Sequence, residues 1–117
     1  DDVGNAPRAG DAAPFRETVN ISSSRYRPAR ARIAVGGSIT WVNRDWPDFH
    51  TAETVDPSYK QLVGGEAQNF DTHTLTYLEP YTVTFTKPGT YRYVCSFAPQ
   101  MEGWVDVVVR EPPPTSD

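Results

Sequence analysis

A single cysteine, Cys95, in 117 residues excludes an internal disulfide. It leaves three roles for that residue: a buried small hydrophobe, a reactive thiol or a metal ligand. Methionine also occurs once, as Met101, and histidine twice, as His50 and His73. No apolar run approaches the roughly 20 residues that a membrane-crossing helix needs. The charged-then-apolar start of a signal peptide is missing too, and the opening Asp1-Asp2-Val3 reads as a mature or trimmed product. Positive charge is in deficit, and a net charge of −4 gives no case for nucleic-acid binding. No carboxylate pair, Ser-His-Asp set or phosphate loop stands at persuasive spacing, so the chain is not expected to be an enzyme.

What is abundant is turn chemistry. Eleven prolines and eight glycines favour short strands joined by tight turns. The length suits one domain with one core. Alternation and β-branched or aromatic content mark strands at residues 18–22, 30–35, 38–43, 81–86, 91–95 and 104–110. Pro28 demotes residues 23–28 to an edge or a bend. Residues 70–75 read as a short strand, and 53–69 as a long connection with room for a turn of helix. Lys87-Pro88-Gly89-Thr90 has Pro and then Gly where a type II turn favours them. The pattern predicts an all-β sandwich of about seven to eight strands, with strand order not readable. Residues 1–17 read as a flexible extension, 18–110 as the domain, and 111–117 as a proline-rich tail or the start of a linker.

The chemistry concentrates in one short loop. Tyr91 to Cys95 reads as a strand, Trp104 to Arg110 as the next, and Ser96-Phe97-Ala98-Pro99-Gln100-Met101-Glu102-Gly103 joins them. Two soft sulfur donors on one loop suit a soft metal. The loop lacks imidazole, which must come from elsewhere. His50 follows a strand ending at Asn43 after a turn containing Pro47, which could hold its ring rigidly at one end of a sandwich. One thiolate, one imidazole and one thioether suit copper in both oxidation states, whereas zinc favours four stronger donors.

Two stretches resemble the cupredoxins, the type 1 blue copper proteins. Ile39-Thr40-Trp41-Val42-Asn43-Arg44-Asp45, with a histidine shortly after, is similar to their first copper-ligand region. Pro88-Gly89-Thr90-Tyr91-Arg92-Tyr93-Val94-Cys95, followed by Pro99, Met101, Gly103 and Val105, is similar to the second. The likeness covers roughly residues 18–110 and is nearest to plastocyanin-like and amicyanin-like members. It implies a Greek-key β-sandwich of two sheets with one copper at one end. By position it implies His50, Cys95 and Met101 as metal ligands, with Met101 axial. The second histidine of the short-loop members would stand at position 98, where this chain has Ala98.

A methyl group cannot coordinate, so the implied site is open at Ala98. That loss weakens the hold on Cu(II) more than on Cu(I), and leaves room for water, chloride or imidazole. The intact remainder of the motif points to an engineered His-to-Ala variant of an electron carrier. A natural copper module for Cu(I) delivery or sensing, with the open position as its working state, is the alternative; a metal-free structural domain is a third. His73 reads as a surface or capping histidine, or else as a substitute ligand. Asn43 is a candidate for tying the ligand segments together, and Trp41 and Trp104 for packing. Arg25, Arg27, Arg30 and Arg32 read as a solvated edge or as a patch for an acidic partner.

The resemblance further implies redox protein partners docking at the copper end, over an apolar rim of Trp46, Pro47, Phe97 and Pro99. It implies a monomer with periplasmic or other extracytoplasmic use, its signal or cell-surface anchor already removed.

Overall fold

The computed structural model describes residues 13–54 and 69–109. Those residues form eight strands and no helix: β1 (Arg16–Ser22), β2 (Arg25–Arg27), β3 (Arg30–Ala34), β4 (Ser38–Asn43), β5 (Glu53–Thr54), β6 (Pro80–Thr84), β7 (Gly89–Cys95) and β8 (Ala98–Val108). They make two four-stranded sheets, ordered β2-β1-β4-β6 and β3-β8-β7-β5. The expected all-β sandwich is the observed fold.

Side-chain alternation builds it. In β4, Ile39, Trp41 and Asn43 face inward while their neighbours are half-exposed. In β7, Tyr91, Tyr93 and Cys95 do the same, as do Gly103, Val105 and Val107 in β8. Strands with one buried and one wetted face have their register fixed, because a one-residue slip would turn the apolar set outward. The core between the sheets is aromatic. Trp41 stacks on Phe70 at 4.9 Å and meets Tyr93 edge-on at 5.3 Å, and Phe70 meets Phe85 at 5.5 Å.

Both sheets mix orientations: β1 pairs in parallel with β4, and β3 in parallel with β8. Each is bordered by an edge strand rich in arginine. Pro28 ends β2 as expected, and the chain then crosses to β3 in the other sheet.

Several strand limits differ from the sequence reading. β1 begins at Arg16, because Ser38 N–H donates to Phe15 O at 2.8 Å and draws this segment into the sheet. β6 starts at Pro80, and β7 begins at Gly89, whose φ of 142° favours glycine. Residues 70–75 contribute two isolated bridges, His50 to Leu75 and Glu53 to Asp71, where a short strand was expected. The larger difference lies after Cys95. β8 starts at Ala98 directly after a two-residue turn, so the segment read as a loop is the start of a strand. Register jumps from Val94↔Glu102 to Cys95↔Ala98, which leaves Pro99, Gln100 and Met101 unmatched. Short-range propensity missed this because Pro99 and Gln100 do not alternate. The expected helical turn within 53–69 falls largely outside the described residues, as do most of the extension and the tail.

Candidate metal centre

His50 and Cys95 come from different elements and meet in the interior. Cys95 ends β7 and is fully buried, and His50, in the connection after β4, is 4% exposed. His50 Nδ1 lies 3.6 Å from Cys95 Sγ. Its other nitrogen, Nε2, lies 2.9 Å from Asp45 Oδ2. A neutral imidazole has one N–H and one lone pair. With Nε2–H donating to the carboxylate, the Nδ1 lone pair faces the sulfur.

The loop before His50 is fixed by side chains. Asn43 Nδ2 donates to Asp48 O at 2.8 Å and to Leu75 O at 2.9 Å, while Asn43 Oδ1 accepts from Asp45 N–H at 2.9 Å. The bridge to Leu75 holds His50 by its own backbone: Leu75 N–H donates to His50 O at 2.8 Å. The amide of Asn43 therefore joins the two segments beside His50, the tying role its position suggested.

Asp45 is a member of the site that sequence reasoning missed. Ser23 and Ser24, in the tight turn between β1 and β2, donate backbone N–H groups to Oδ1 at 2.6 Å and Oδ2 at 2.8 Å. Partial burial pushes the Asp45 carboxyl pKa up, but the donors from Ser24, Ser23 and His50 outweigh it and hold the group below the usual carboxylate range. Its one sequence signal was an acid placed five residues before a histidine. Thr51 was missed as well. Its N–H points at Cys95 Sγ, 3.4 Å away, and its Oγ1 accepts from Ser96 N–H at 2.9 Å. The Thr51 carbonyl oxygen accepts from the Tyr26 hydroxyl. Burial pushes the Tyr26 hydroxyl pKa upward and keeps it a donor.

Met101 is 5% exposed and belongs to the same buried cluster as Cys95. Ala98 is half-buried, pairs with Cys95 across the turn and packs against that cluster. His73 is elsewhere: its side chain is 73% exposed, 3.8 Å from Asp71 and edge-on to Tyr81. Its φ of 62° marks a turn position. Trp46, Pro47, Phe97 and Pro99 are exposed as expected, and Tyr77 packs edge-on against Trp46 at 5.6 Å.

The donors fit a soft metal. A buried imidazole nitrogen and a buried thiol sulfur 3.6 Å apart could both reach one such ion. Among the described residues no group of three or more His, Cys, Asp or Glu side chains is placed to hold a metal ion. Asp45 stands behind the imidazole, on its Nε2 side, rather than beside the sulfur.

A two-sheet sandwich with a buried imidazole–thiol pair at a strand end defines a cupredoxin-type copper protein. Residues 15–108 match the family of copper binding proteins of the plastocyanin/azurin type, and the chain belongs to that family. It is 30% identical over 103 residues to amicyanin-alpha of Methylorubrum extorquens, covering 87% of this chain and 81% of the relative. Among solved structures, a mutant amicyanin in its Cu(I) form superposes with a TM-score of 0.66 at 30% identity, covering 80% of this chain and 82% of the other. A copper-containing nitrite reductase of Thermus scotoductus gives a TM-score of 0.70 at 32% identity, covering 96% of this chain and 27% of that larger one. Copper is the cofactor that this membership assigns.

Proposed function

We propose that the chain is a one-electron carrier of the type 1 copper class, with His50, Cys95 and Met101 as its protein ligands and an open position at Ala98. The observation that carries the reading is the buried His50 Nδ1, aimed at Cys95 Sγ from 3.6 Å. Copper bound there supplies a reversible one-electron couple. The chain holds the thiol away from water, receives an N–H from Thr51 at the sulfur and orients the imidazole through Asp45. Ala98 stands where short-loop members carry their second histidine, with the surrounding motif intact, and we read it as a substitution in a working carrier. The exposed Trp46, Phe97 and Pro99 form an apolar surface on the segments carrying His50 and Cys95, suited to a redox protein partner. We place this use outside the cytoplasm, where copper thiolate chemistry is compatible with the redox environment.

The donor count favours a second reading. One nitrogen and two sulfurs suit Cu(I) better than Cu(II), as a module for Cu(I) delivery or sensing would require.

The deciding experiment restores imidazole. Ala98→His is titrated with Cu(II) beside the unaltered chain, each with and without added imidazole, and followed by visible and EPR spectroscopy. The carrier reading expects an intense thiolate-to-copper absorption and a reversible potential in Ala98→His, with partial recovery by imidazole in the unaltered chain. Copper binding by Ala98→His with neither property overturns it. The delivery reading expects the unaltered chain to hold Cu(I) far more tightly than Cu(II), and comparable affinities would remove it.

A further inference from the structure

The four arginines between positions 25 and 32 do not stay together in the fold. The chain crosses between the sheets after Pro28, so Arg25 and Arg27 lie on β2 and Arg30 and Arg32 on β3. Their surroundings differ. In the sheet of β3, Arg30 is paired with Asp106 at 2.6 Å, and Arg92 with Glu102 at 2.7 Å. The sheet β2-β1-β4-β6 has no such neutralisation on its outer face. Alternation puts Arg16, Thr18, Asn20 and Ser22 of β1 there, beside Arg25 and Arg27 of β2. β4 and β6 add only serine, threonine, valine and proline. Among the described residues no Asp or Glu of these strands stands on that face.

Arg44 joins the face from beyond β4. It is exposed, and its Nε donates to Asn20 Oδ1 at 2.6 Å. Arg27 stands opposite Asn20 in register, and Arg25 opposite Ser22. Three guanidinium groups thus gather around two positions of β1. Arg27 Nε donates to Ser22 O at 3.4 Å, so the acceptors of Arg27 and Arg44 are both uncharged. Among the described residues none of the three forms an ion pair. Asp45, next to Arg44 in sequence, gives its oxygens to Ser23, Ser24 and His50, and its side chain is only 14% exposed. Charge on an edge strand discourages strand addition, but Arg44 follows an interior strand, where that need does not arise. Like charges on adjoining strands cost stability, a cost that an anionic partner removes.

The cluster adjoins the metal end. Arg44 stands two residues before Trp46, which is 76% exposed. Arg25 follows the Ser23-Ser24 turn that holds Asp45 behind His50. An apolar centre with an arginine-bearing polar rim is the anatomy of a protein–protein interface. We infer that Arg25, Arg27 and Arg44 form the charged rim of the redox-partner surface, and that the partner is an acidic protein whose carboxylates meet this rim; the inference rests on the carrier reading. Carboxylates match guanidinium forks through paired hydrogen bonds. The chain as a whole carries a net charge of −4, so a local positive face orients an acidic partner toward this side and away from the others.

The test titrates hexaglutamate into the full metal-free chain at about 0.1 M salt, where charges more than about 10 Å apart are largely screened. NMR follows the arginine Nε–H and Asn20 side-chain amide resonances. Saturable shifts are expected at Arg25, Arg27, Arg44 and Asn20. A variant combining Arg25→Gln, Arg27→Gln and Arg44→Gln should bind at least about tenfold more weakly, in keeping with lost charge-assisted hydrogen bonds. A variant with the same loss of charge elsewhere, Arg30→Gln, Lys87→Gln and Arg92→Gln, should bind nearly as the parent does. Equal weakening in the two variants overturns the proposal, because net charge alone would then explain the binding. So does the absence of saturable shifts in a chain whose dispersion shows it folded. Pelleting with phosphatidylglycerol vesicles through the same three arginines, with no response to hexaglutamate, overturns it too and makes the face a lipid contact. Copper takes no part in this titration. Its failure beside a blue, redox-active Ala98→His removes the acidic partner and keeps the carrier; the reverse result leaves an acid-binding face on a chain that carries no electrons.

Discussion

Asp45 holds His50 from behind: the carboxylate lies 2.9 Å from Nε2, while Nδ1 on the other side of the ring lies 3.6 Å from Cys95 Sγ. The same carboxylate accepts the backbone N–H groups of Ser23 and Ser24, so the turn joining β1 and β2 helps set the direction of the imidazole lone pair. Partners of this kind fix the tautomer and ring orientation of a metal-binding histidine and raise its basicity. Asp45→Ala should weaken copper binding by about 10- to 100-fold. Asp45→Asn, which keeps an acceptor but no charge, should fall between. Competition titrations with Cu(I) read the affinity, and nitrogen NMR of the metal-free protein reads whether the proton remains on Nε2. Unchanged affinity with a scrambled tautomer would separate the carboxylate from metal binding.

Much of this arrangement was readable from residue order, for physical reasons that also mark where reading stopped. β4 and β7 alternate cleanly, so their inward sets, Ile39-Trp41-Asn43 and Tyr91-Tyr93-Cys95, announce themselves. The convergence of His50 and Cys95, 45 positions apart, was suggested by the Pro47 turn that could carry an imidazole to the end of the sandwich, and likeness to a known pattern singled it out. Asn43 was visible as a side-chain amide just before the candidate ligand segment, where such groups tie ligand strands together. Asp45 was not, because an acid in a turn beside Pro47 looks like any solvated turn residue. Its importance depends on the β1–β2 turn folding against it, a long-range contact that no local window contains. The start of β8 was hidden for a related reason: Ala98 pairs with Cys95 only because Ser96 and Phe97 reverse the chain in two residues.

Gly103 is required by Tyr93. A Cβ at position 103 would lie 2.5 Å from both the Cζ and the hydroxyl oxygen of the Tyr93 ring. Tyr93 is fully buried and touches the Tyr26 and Trp41 rings, so it has little room to retreat. Gly103→Ala should destabilise the fold by about 1–3 kcal/mol, the usual scale for overpacking a core. A lowered denaturation midpoint at unchanged slope would show it. Tyr93→Phe in the same chain should recover part of the loss, since it removes one of the two clashing atoms. A Gly103→Ala protein as stable as the parent would mean that the ring moves freely, against the packing described.

Farther along β8, Asp106 accepts from Arg30 Nε at 2.6 Å and from Thr90 Oγ1 at 2.6 Å. Burial alone would push this carboxyl pKa up, but Arg30 and Thr90 outweigh it and depress it below the ordinary value. A carboxyl with a lower pKa folded than unfolded stabilises the fold above its unfolded value, about 3.9, and loses that contribution as pH falls through the folded value. The Arg30 side chain is 58% exposed, so the pair is screened and contributes about 0.2–1 kcal/mol. Arg30→Ala should therefore lower stability near neutral pH by that amount. The gap between the two proteins should narrow as pH falls below about 4 and close once Asp106 is protonated in both. Urea unfolding at a series of pH values, in low and high salt, provides the measurement. A gap that persists unchanged into acid would assign the loss to packing of the Arg30 stem against β8 rather than to its charge.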